Sequence, residues 1–218
     1  MVDVAWIDLE APMPELDHWY GMLDSDERAQ AQRFRFDRDR RHYIVRHGWL
    51  RELLSHRLGR APSEIFFSRN SFGKPMLSGL NLSFNLSYSA GKALCTVAHG
   101  LQLGCDFEYR DPSLASNAIA ECFFSPLERN HLSSLPTDRW IEGFFNCWTR
   151  KEAYIKALGL GLSCALDTFD VSLAPEEPAR LMRGCDGWSV QSFEPAPGFT
   201  AAVVAEGFDW ALNRLDAS

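Results

Sequence analysis

Three carboxylates and one lysine have the spacing needed to hold a metal ion beside a phosphate group. Asp106 and Glu108 alternate on one side of a predicted strand, residues 101–109, which places their Cα atoms about 6.6–6.8 Å apart. Glu152 and Lys156 stand one helical turn apart on a predicted helix. Oxygen ligands of this kind suit Mg²⁺ or Mn²⁺, and Mg²⁺ takes its other ligands from water and substrate phosphates. The pattern therefore predicts a metal site at the three carboxylates.

The helix that carries Glu152 is predicted to run from about Asp138 to Leu158. Glu152 falls within its apolar stripe, and a carboxylate among large aromatic side chains needs a partner. The structural alternative is an ordinary Glu152–Lys156 pair on a solvated face; Asp106 and Glu108 likewise fit a solvated strand face. The stripe comprises Ile141, Phe144, Phe145, Trp148, Ile155 and Gly159.

Basic residues are concentrated in one segment of an otherwise acidic chain. Residues 28–60 contain ten Arg and only three acidic residues, although the net charge of the whole chain is −7. The overall charge argues against a general nucleic-acid binder, whereas the segment fits either a small polyanion or a solvated helix face. Lys74, Lys151 and Lys156 would complete such an anion site.

The remaining composition is that of a reduced, globular protein. The six cysteines include no CxxC pair, no apolar stretch reaches the ~18 residues of a membrane span, and the chain start lacks the features of a signal peptide. P-loop, Rossmann, zincin and hydrolase-elbow motifs are missing from the sequence. We expect a cytoplasmic protein without a membrane or nucleic-acid partner.

The predicted elements form an α+β protein. Length and hydrophobic content (218 residues, 46%) allow one large domain or two lobes of about 100 residues. Both halves consist of helices and a small antiparallel sheet, which predicts a similar layout twice, with the junction near residues 104–112. The predicted strands are 2–9, 65–68, 80–89, 93–98, 101–109, 169–173, 188–193 and 199–205, and the predicted helices are 27–36, 39–58, 114–123, 126–132 and 138–158.

Two motifs resemble those of Sfp-type 4′-phosphopantetheinyl transferases. Gly104–Glu108 reads GCDFE and resembles G-[VI]-D-[IV]-E, and Trp148–Ala157 reads WTRKEAYIKA and resembles W-[ST]-x-K-E-[AS]-x-x-K. They lie about forty residues apart, as in that family. Further similarity covers Arg33-Phe34, Arg41–Leu54, Phe72–Pro75, Phe84–Ser87, Phe123–Pro126 with Glu128, and Gly159–Leu162.

The resemblance implies transfer of the phosphopantetheine group of coenzyme A to a serine of an apo acyl or peptidyl carrier protein, with release of 3′,5′-ADP. It implies a pseudo-twofold fold with an N-terminal lobe, 1–104, for the adenylate end of coenzyme A and a C-terminal lobe, 105–218, for the metal and the catalytic helix. A monomer is expected. The carrier would dock on the helices after Phe123-Phe124-Ser125.

The same resemblance assigns roles to individual residues. Asp106, Glu108 and Glu152 would bind Mg²⁺, Lys156 would contact the phosphate under attack, and Glu152 would act as the general base, directly or through a metal-bound water. The implied contacts to coenzyme A come from Arg41, His47, Lys74, Ser87, Tyr88, Lys151 and Lys156.

One position departs from the family. Tyr88 stands where the family usually has a histidine, in N-[IVL]-S-H-S, and tyrosine carries no positive charge. The departure is the one hint of an alternative to the transferase, a noncatalytic module that binds coenzyme A or a carrier. A metal-dependent phosphohydrolase is a further alternative, independent of Tyr88. Because period-two alternation places Tyr88 on the apolar face of its strand, a strand end or bulge would be needed to turn it into the site.

Overall fold

Two small sheets, each packed against a long helix, organise the computed structural model, which describes residues 1–215. The last three residues of the predicted second lobe, 216–218, lie outside the described part. The fold is α+β, as predicted. The helices are α1 (Met13–Met22), α2 (Ser25–Ala31), α3 (Asp37–Leu58), α4 (Asn117–Phe123), α5 (Pro126–Ser134) and α6 (Thr137–Leu158). The strands are β1 (Val2–Asp8), β2 (Phe67–Arg69), β3 (Pro75–Leu77), β4 (Leu82–Ser89), β5 (Lys92–His99), β6 (Leu103–Tyr109), β7 (Trp188–Phe193), β8 (Phe199–Glu206) and β9 (Leu212–Arg214).

The first sheet has the strand order β4-β5-β1-β9, with β4 at its edge. β4, β5 and β1 are antiparallel as predicted, but β9 adds to β1 in parallel. Helix α3 covers this sheet and ends at Gly59, whose positive φ of 62° forms the left-handed cap. The buried residues Trp49, Leu54 and Phe84 belong to the core between them.

The second sheet has the order β6-β8-β7 and is antiparallel throughout. Helix α6 covers it, and the aromatic side chains of α6 pack with Phe124 and Phe169 in a separate core. Strand β6 also faces the first sheet, since Cys105 donates its N–H to Asn85 Oδ1 at 2.8 Å. The two lobes therefore meet along β4 and β6.

Gly104 allows β6 to lie directly on α6. A Cβ atom at this position would stand 2.2 Å from the nitrogen of Ala157 and 2.3 Å from the carbonyl oxygen of Ala153. Only glycine fits, because both obstacles are backbone atoms. The contact sets the distance between the carboxylates of the strand and the charged groups of the helix.

Several sequence predictions were wrong in detail. The first predicted helix begins at residue 27, but α1 already occupies Met13–Met22, because Pro14 is tolerated in a first helical turn. The helix predicted over 27–36 ends at Ala31. Residues 169–173 form only an isolated bridge, Val171 to Leu181, and β3 and β9 were not predicted.

Candidate active site

Asp106 and Lys156 form an ion pair where β6 meets α6. Lys156 Nζ lies 2.6 Å from Asp106 Oδ1, and Asp106 is only 2% exposed. Ser87 on β4 donates to the same oxygen at 3.0 Å, and Lys156 Nζ lies 3.2 Å from Ser87 Oγ. Residues of β4, β6 and α6 thus converge at the lobe interface.

Glu108 lies on the same side of β6 as Asp106. Ser89 donates to its Oε2 at 2.6 Å. Burial, with the nearby negative charge of Asp106, raises the pKa of Glu108 to about 7. Ser89 was not among the predicted site residues, although it shares the polar face of β4 with Ser87 and could have been included on that ground.

Glu152 faces the same negative region from α6. Burial, followed by the charge of Asp106, raises the pKa of the Glu152 carboxyl, whereas Lys156 opposes the rise. For Lys156 itself, burial lowers the pKa, but Asp106 outweighs burial and the net shift is upward. Lys156 is therefore a stable cation among three carboxylates.

The carboxylates suit a divalent cation chemically. The second oxygen of Asp106, Oδ2, is buried without a hydrogen-bond partner in the described part of the protein. An unpaired anionic oxygen in such a place is costly, and a metal ion would satisfy it. Within residues 1–215, no three His, Cys, Asp or Glu side chains already stand at metal-binding spacing, so the carboxylates would have to turn toward the ion.

Lys74 links the lobes through backbone carbonyls. Its Nζ donates to Leu103 O at 2.8 Å and to Ala157 O at 3.2 Å, and burial lowers its pKa to about 8. Nearby, Asn70 donates to Gly159 O at 2.7 Å. The structure thus brings Lys74 to the interface but not into the carboxylate cluster.

Arg41 and His47 are engaged by other partners. Arg41 Nη2 donates to Ala11 O at 2.7 Å. His47 Nδ1 lies 3.1 Å from Glu27 Oε1, and its ring stacks on Tyr43 with centroids 4.0 Å apart. Burial lowers the pKa of His47 despite Glu27. The structure does not bring either residue to Asp106 or Lys156.

Lys151 is buried in the second lobe, away from the carboxylate cluster, despite its place in the motif. Its side chain is 1% exposed and its Nζ lies 2.9 Å from Glu128 Oε1. It also donates to the carbonyls of Leu166 and Phe169, at 2.6 and 2.7 Å. With its donors directed into the core, its predicted contact with coenzyme A has no support in its surroundings.

Tyr88 faces α3 and is 59% exposed. The predicted strand end or bulge near Ser87 does not occur, since β4 pairs regularly with β5 from Leu82 to Ser89. The Cζ atom of Arg46 on α3 lies 3.6 Å from the centroid of the Tyr88 ring. Sequence reasoning counted Arg46 only as one of the ten arginines in its segment.

Comparisons with known proteins identify the family of the chain. Residues 102–204 match a model of the 4′-phosphopantetheinyl transferase superfamily, and residues 10–99 match a model described as 4′-phosphopantetheinyl transferase, N-terminal. The chain is 39% identical over 208 residues to the 4′-phosphopantetheinyl transferase HetI of Nostoc, covering 94% of this chain and 87% of HetI. It is 28% identical over 203 residues to the 4′-phosphopantetheinyl transferase Sfp of Bacillus subtilis, covering 92% and 89%.

The chain belongs to the 4′-phosphopantetheinyl transferase family and is an enzyme of that activity. Among solved structures, the holo-[acyl-carrier-protein] synthase of Thermotoga maritima matches 49% of this chain and 62% of its own, with a TM-score of 0.38 and 19% identity. In the described residues, no helix is long and apolar enough to cross a membrane.

Proposed function

We propose that the protein transfers the 4′-phosphopantetheine group of coenzyme A to a serine of an apo acyl or peptidyl carrier protein, with Mg²⁺ or Mn²⁺ as cofactor, and releases 3′,5′-ADP. The observation that carries the proposal is the Asp106–Lys156–Ser87 cluster, which joins both sequence motifs at the lobe interface. The N-terminal lobe, 1–104, would hold the nucleotide end of coenzyme A. The C-terminal lobe, 105–218, would supply the metal ligands and the catalytic helix.

The metal would be held by Asp106, Glu108 and Glu152, whose oxygens suit Mg²⁺. When bound, it would offset the negative charge of the pyrophosphate and of the departing 3′,5′-ADP. The unpaired Oδ2 of Asp106 supports this assignment.

Lys156 would hold the phosphate that is attacked. Because Asp106 raises its pKa, Lys156 stays protonated at neutral pH and can donate to a phosphate oxygen. Ser87 would hold Asp106 and Lys156 in place relative to each other through its contacts with both. Preorganised donors of this kind stabilise the charge that develops during phosphoryl transfer.

Glu152 would act as the general base. It would accept the proton of the carrier serine while Oγ bonds to the phosphorus that bears pantetheine, and the bond from that phosphorus to the bridging oxygen would break. The electron pair of that bond leaves with 3′,5′-ADP. A carboxyl whose pKa is raised by burial is a better proton acceptor than an exposed one.

Intact-mass measurement tests the function. Incubation with coenzyme A, Mg²⁺ and an apo carrier should add about 340 Da, one phosphopantetheine group, to the carrier serine. EDTA should stop the reaction, and excess Mg²⁺ should restore it. The absence of a mass gain with any of several acyl and peptidyl carriers would refute the proposed transfer. Release of 3′,5′-ADP without a carrier would indicate a phosphohydrolase. Tight binding of coenzyme A without turnover would indicate a noncatalytic module.

We further propose that the protein acts as a cytoplasmic monomer, with no nucleic-acid or membrane partner. The carrier would dock beside the lobe interface, on the helices after Phe123. In support, Phe123 on α4 and Leu127 on α5 are exposed apolar side chains, 39% and 53% accessible. Sedimentation at increasing protein concentration checks the oligomeric state.

A further inference from the structure

The hydroxyl group of Ser89, at the end of β4, makes two contacts with neighbouring residues of β6. Its Oγ donates to Glu108 Oε2 at 2.6 Å and accepts the backbone N–H of Tyr109 at 3.2 Å. A serine hydroxyl has one proton to donate and two lone pairs. Because the amide of Tyr109 occupies a lone pair, the proton is left for the carboxylate. Ser89, from the first lobe, therefore holds a carboxylate of the second lobe in place.

Each strand carboxylate has one oxygen that is held from β4 and one that is not. Asp106 accepts from Ser87 at Oδ1, and its Oδ2 has no partner in the described part of the protein. Within residues 1–215, Glu108 accepts a side-chain hydrogen bond at Oε2 alone, and that bond comes from Ser89. Asp106 also pairs with Lys156, whereas the restraint on Glu108 comes from a neutral hydroxyl.

The turn after β4 fixes the position of Ser89. Ser89 pairs with Lys92 on β5, so Ala90 and Gly91 alone connect the two strands. Their φ angles are both positive, 45° and 77°, as in a two-residue type I′ hairpin. A left-handed alanine costs roughly 1–2 kcal/mol and persists only where the surrounding structure holds it. The turn is held by β1, since Leu9 donates its N–H to Gly91 O at 2.7 Å.

Glu152 has no comparable restraint. Burial and the charges of Asp106 and Lys156 act on its carboxyl group, but no hydrogen bond does in the described residues. The carboxylates must rearrange to surround an ion, because the described residues contain no group of three at metal-binding spacing. Glu152 is therefore the ligand that is free to move, and Glu108 is the ligand that is already held.

We propose that Ser89 is a positioning residue, whose hydroxyl holds Glu108 so that the second carboxylate oxygen, Oε1, is available to the divalent cation. The inference rests on the proposed function, which makes Glu108 a ligand of that cation. A glutamate that is ordered in advance loses less side-chain entropy when it binds an ion than a mobile one does. Hydrogen bonds that orient metal ligands contribute about 10- to 100-fold to metal affinity or activity.

Mn²⁺ binding measures this effect directly, because free Mn²⁺ gives an electron paramagnetic resonance signal that is lost on binding. In the presence of saturating coenzyme A, Ser89→Ala should raise the Kd for Mn²⁺ about 10- to 100-fold. Ser89→Thr keeps the hydroxyl and should stay within about threefold of the wild type. Ser83→Ala is the matched control and should have no effect, because Ser83 lies on the same face of β4 but about 20 Å along the strand from Ser89.

A double-variant comparison tests whether Ser89 acts through Glu108. Glu108→Gln should weaken Mn²⁺ binding, and adding Ser89→Ala to it should change the Kd less than about twofold, because the ligand that Ser89 holds is already lost. Calorimetry in EDTA should show that Ser89→Ala binds coenzyme A within about twofold of the wild type. Melting curves confirm that every variant is folded.

The outcomes separate this inference from the proposed function. The role of Ser89 alone is refuted if the wild type modifies a carrier and Ser89→Ala binds Mn²⁺ as tightly as the wild type. It is also refuted if Ser89→Thr loses as much Mn²⁺ affinity as Ser89→Ala, or if Ser89→Ala weakens coenzyme A binding in EDTA to the same extent. If Mn²⁺ binding follows the expected pattern but the wild type modifies no carrier, the role of Ser89 stands and the transferase proposal fails.

Discussion

Replacement of Lys151 by methionine distinguishes a structural lysine from a ligand contact. In the structure its ammonium group satisfies three acceptors, the carboxylate of Glu128 and the carbonyls of Leu166 and Phe169. Glu128 in turn accepts the N–H groups of Ser125 and Val171. Lys151→Met keeps the length of the side chain and leaves these acceptors buried without their cation.

The magnitude follows from the burial of both charges, each 1% exposed. Removal of one partner from a buried ion pair costs about 3–5 kcal/mol, chiefly because the other charge stays desolvated and unpaired. For a chain of this length, that free energy lowers Tm by roughly 6–20 °C. Adding Glu128→Gln to Lys151→Met should recover about 1–3 kcal/mol of the loss, because the orphaned charge is removed.

The double-mutant cycle compares the wild type, Lys151→Met, Glu128→Gln and the double variant. Urea denaturation gives the free energy of unfolding of each protein, and calorimetry gives its affinity for coenzyme A at a temperature where all four are folded. We expect a large loss of stability with an affinity within about threefold of the wild type, a change below 1 kcal/mol. A destabilisation below 1 kcal/mol combined with a tenfold or greater loss of affinity would refute the structural role of Lys151 and support its predicted contact with coenzyme A.

Three further predictions concern the interface. Glu152→Gln should lower the rate of transfer at least 100-fold with little change in Tm, because the general base is lost while the size of the side chain is kept. Glu142→Gln on the same helix is the control. An active Glu152→Gln variant would refute the assignment of Glu152 as the general base. Gly104→Ala should destabilise the protein by about 3 kcal/mol or more in urea denaturation, since the new methyl group would meet backbone of α6 at 2.2 Å, and an effect below 1 kcal/mol would show that β6 can move. The pKa of Lys74 in the folded protein, about 8, lies below its unfolded value, so the unfolded chain binds more protons between about pH 8 and 10.5. The free energy of unfolding of the wild type should therefore rise relative to that of Lys74→Met as the pH rises through this range. A constant difference between the two free energies would contradict the predicted sign.

Much of the local structure was predictable because its signals are short-range. The alternation over residues 80–89 predicted β4 and its two faces correctly, and the helix over 138–158 was located to within one residue. Residues 169–173 show the limit of such reasoning. Their apolar character indicated a strand, but Lys151 and Glu128 satisfy backbone groups of Phe169 and Val171 that a neighbouring strand would otherwise pair.

The residue types of the candidate site were predictable from the sequence, but the partner of each basic residue was not. Asp106 and Lys156 belong to recognisable motifs, and the structure brings them to 2.6 Å. Lys151 belongs to the same motif yet is buried, because positions five residues apart on a helix point in different directions. Arg41, His47 and Arg46 are indistinguishable as basic residues of one helix in the sequence; their partners, Ala11, Glu27 and Tyr88, come from other elements.

The order of residues was sufficient to identify the family, the α+β class, and the three carboxylates and the lysine that make a phosphoryl-transfer site possible. Side-chain chemistry and the periodicities of strands and helices depend on the order of residues, so they can be recognised before the fold is known. Which carboxylate each cation pairs with, such as Asp106 for Lys156 and Glu128 for Lys151, depends on the tertiary structure. Pairing of charges depends on distances of a few ångströms between segments such as α3 and β4, and those distances are set by packing rather than by position in the chain.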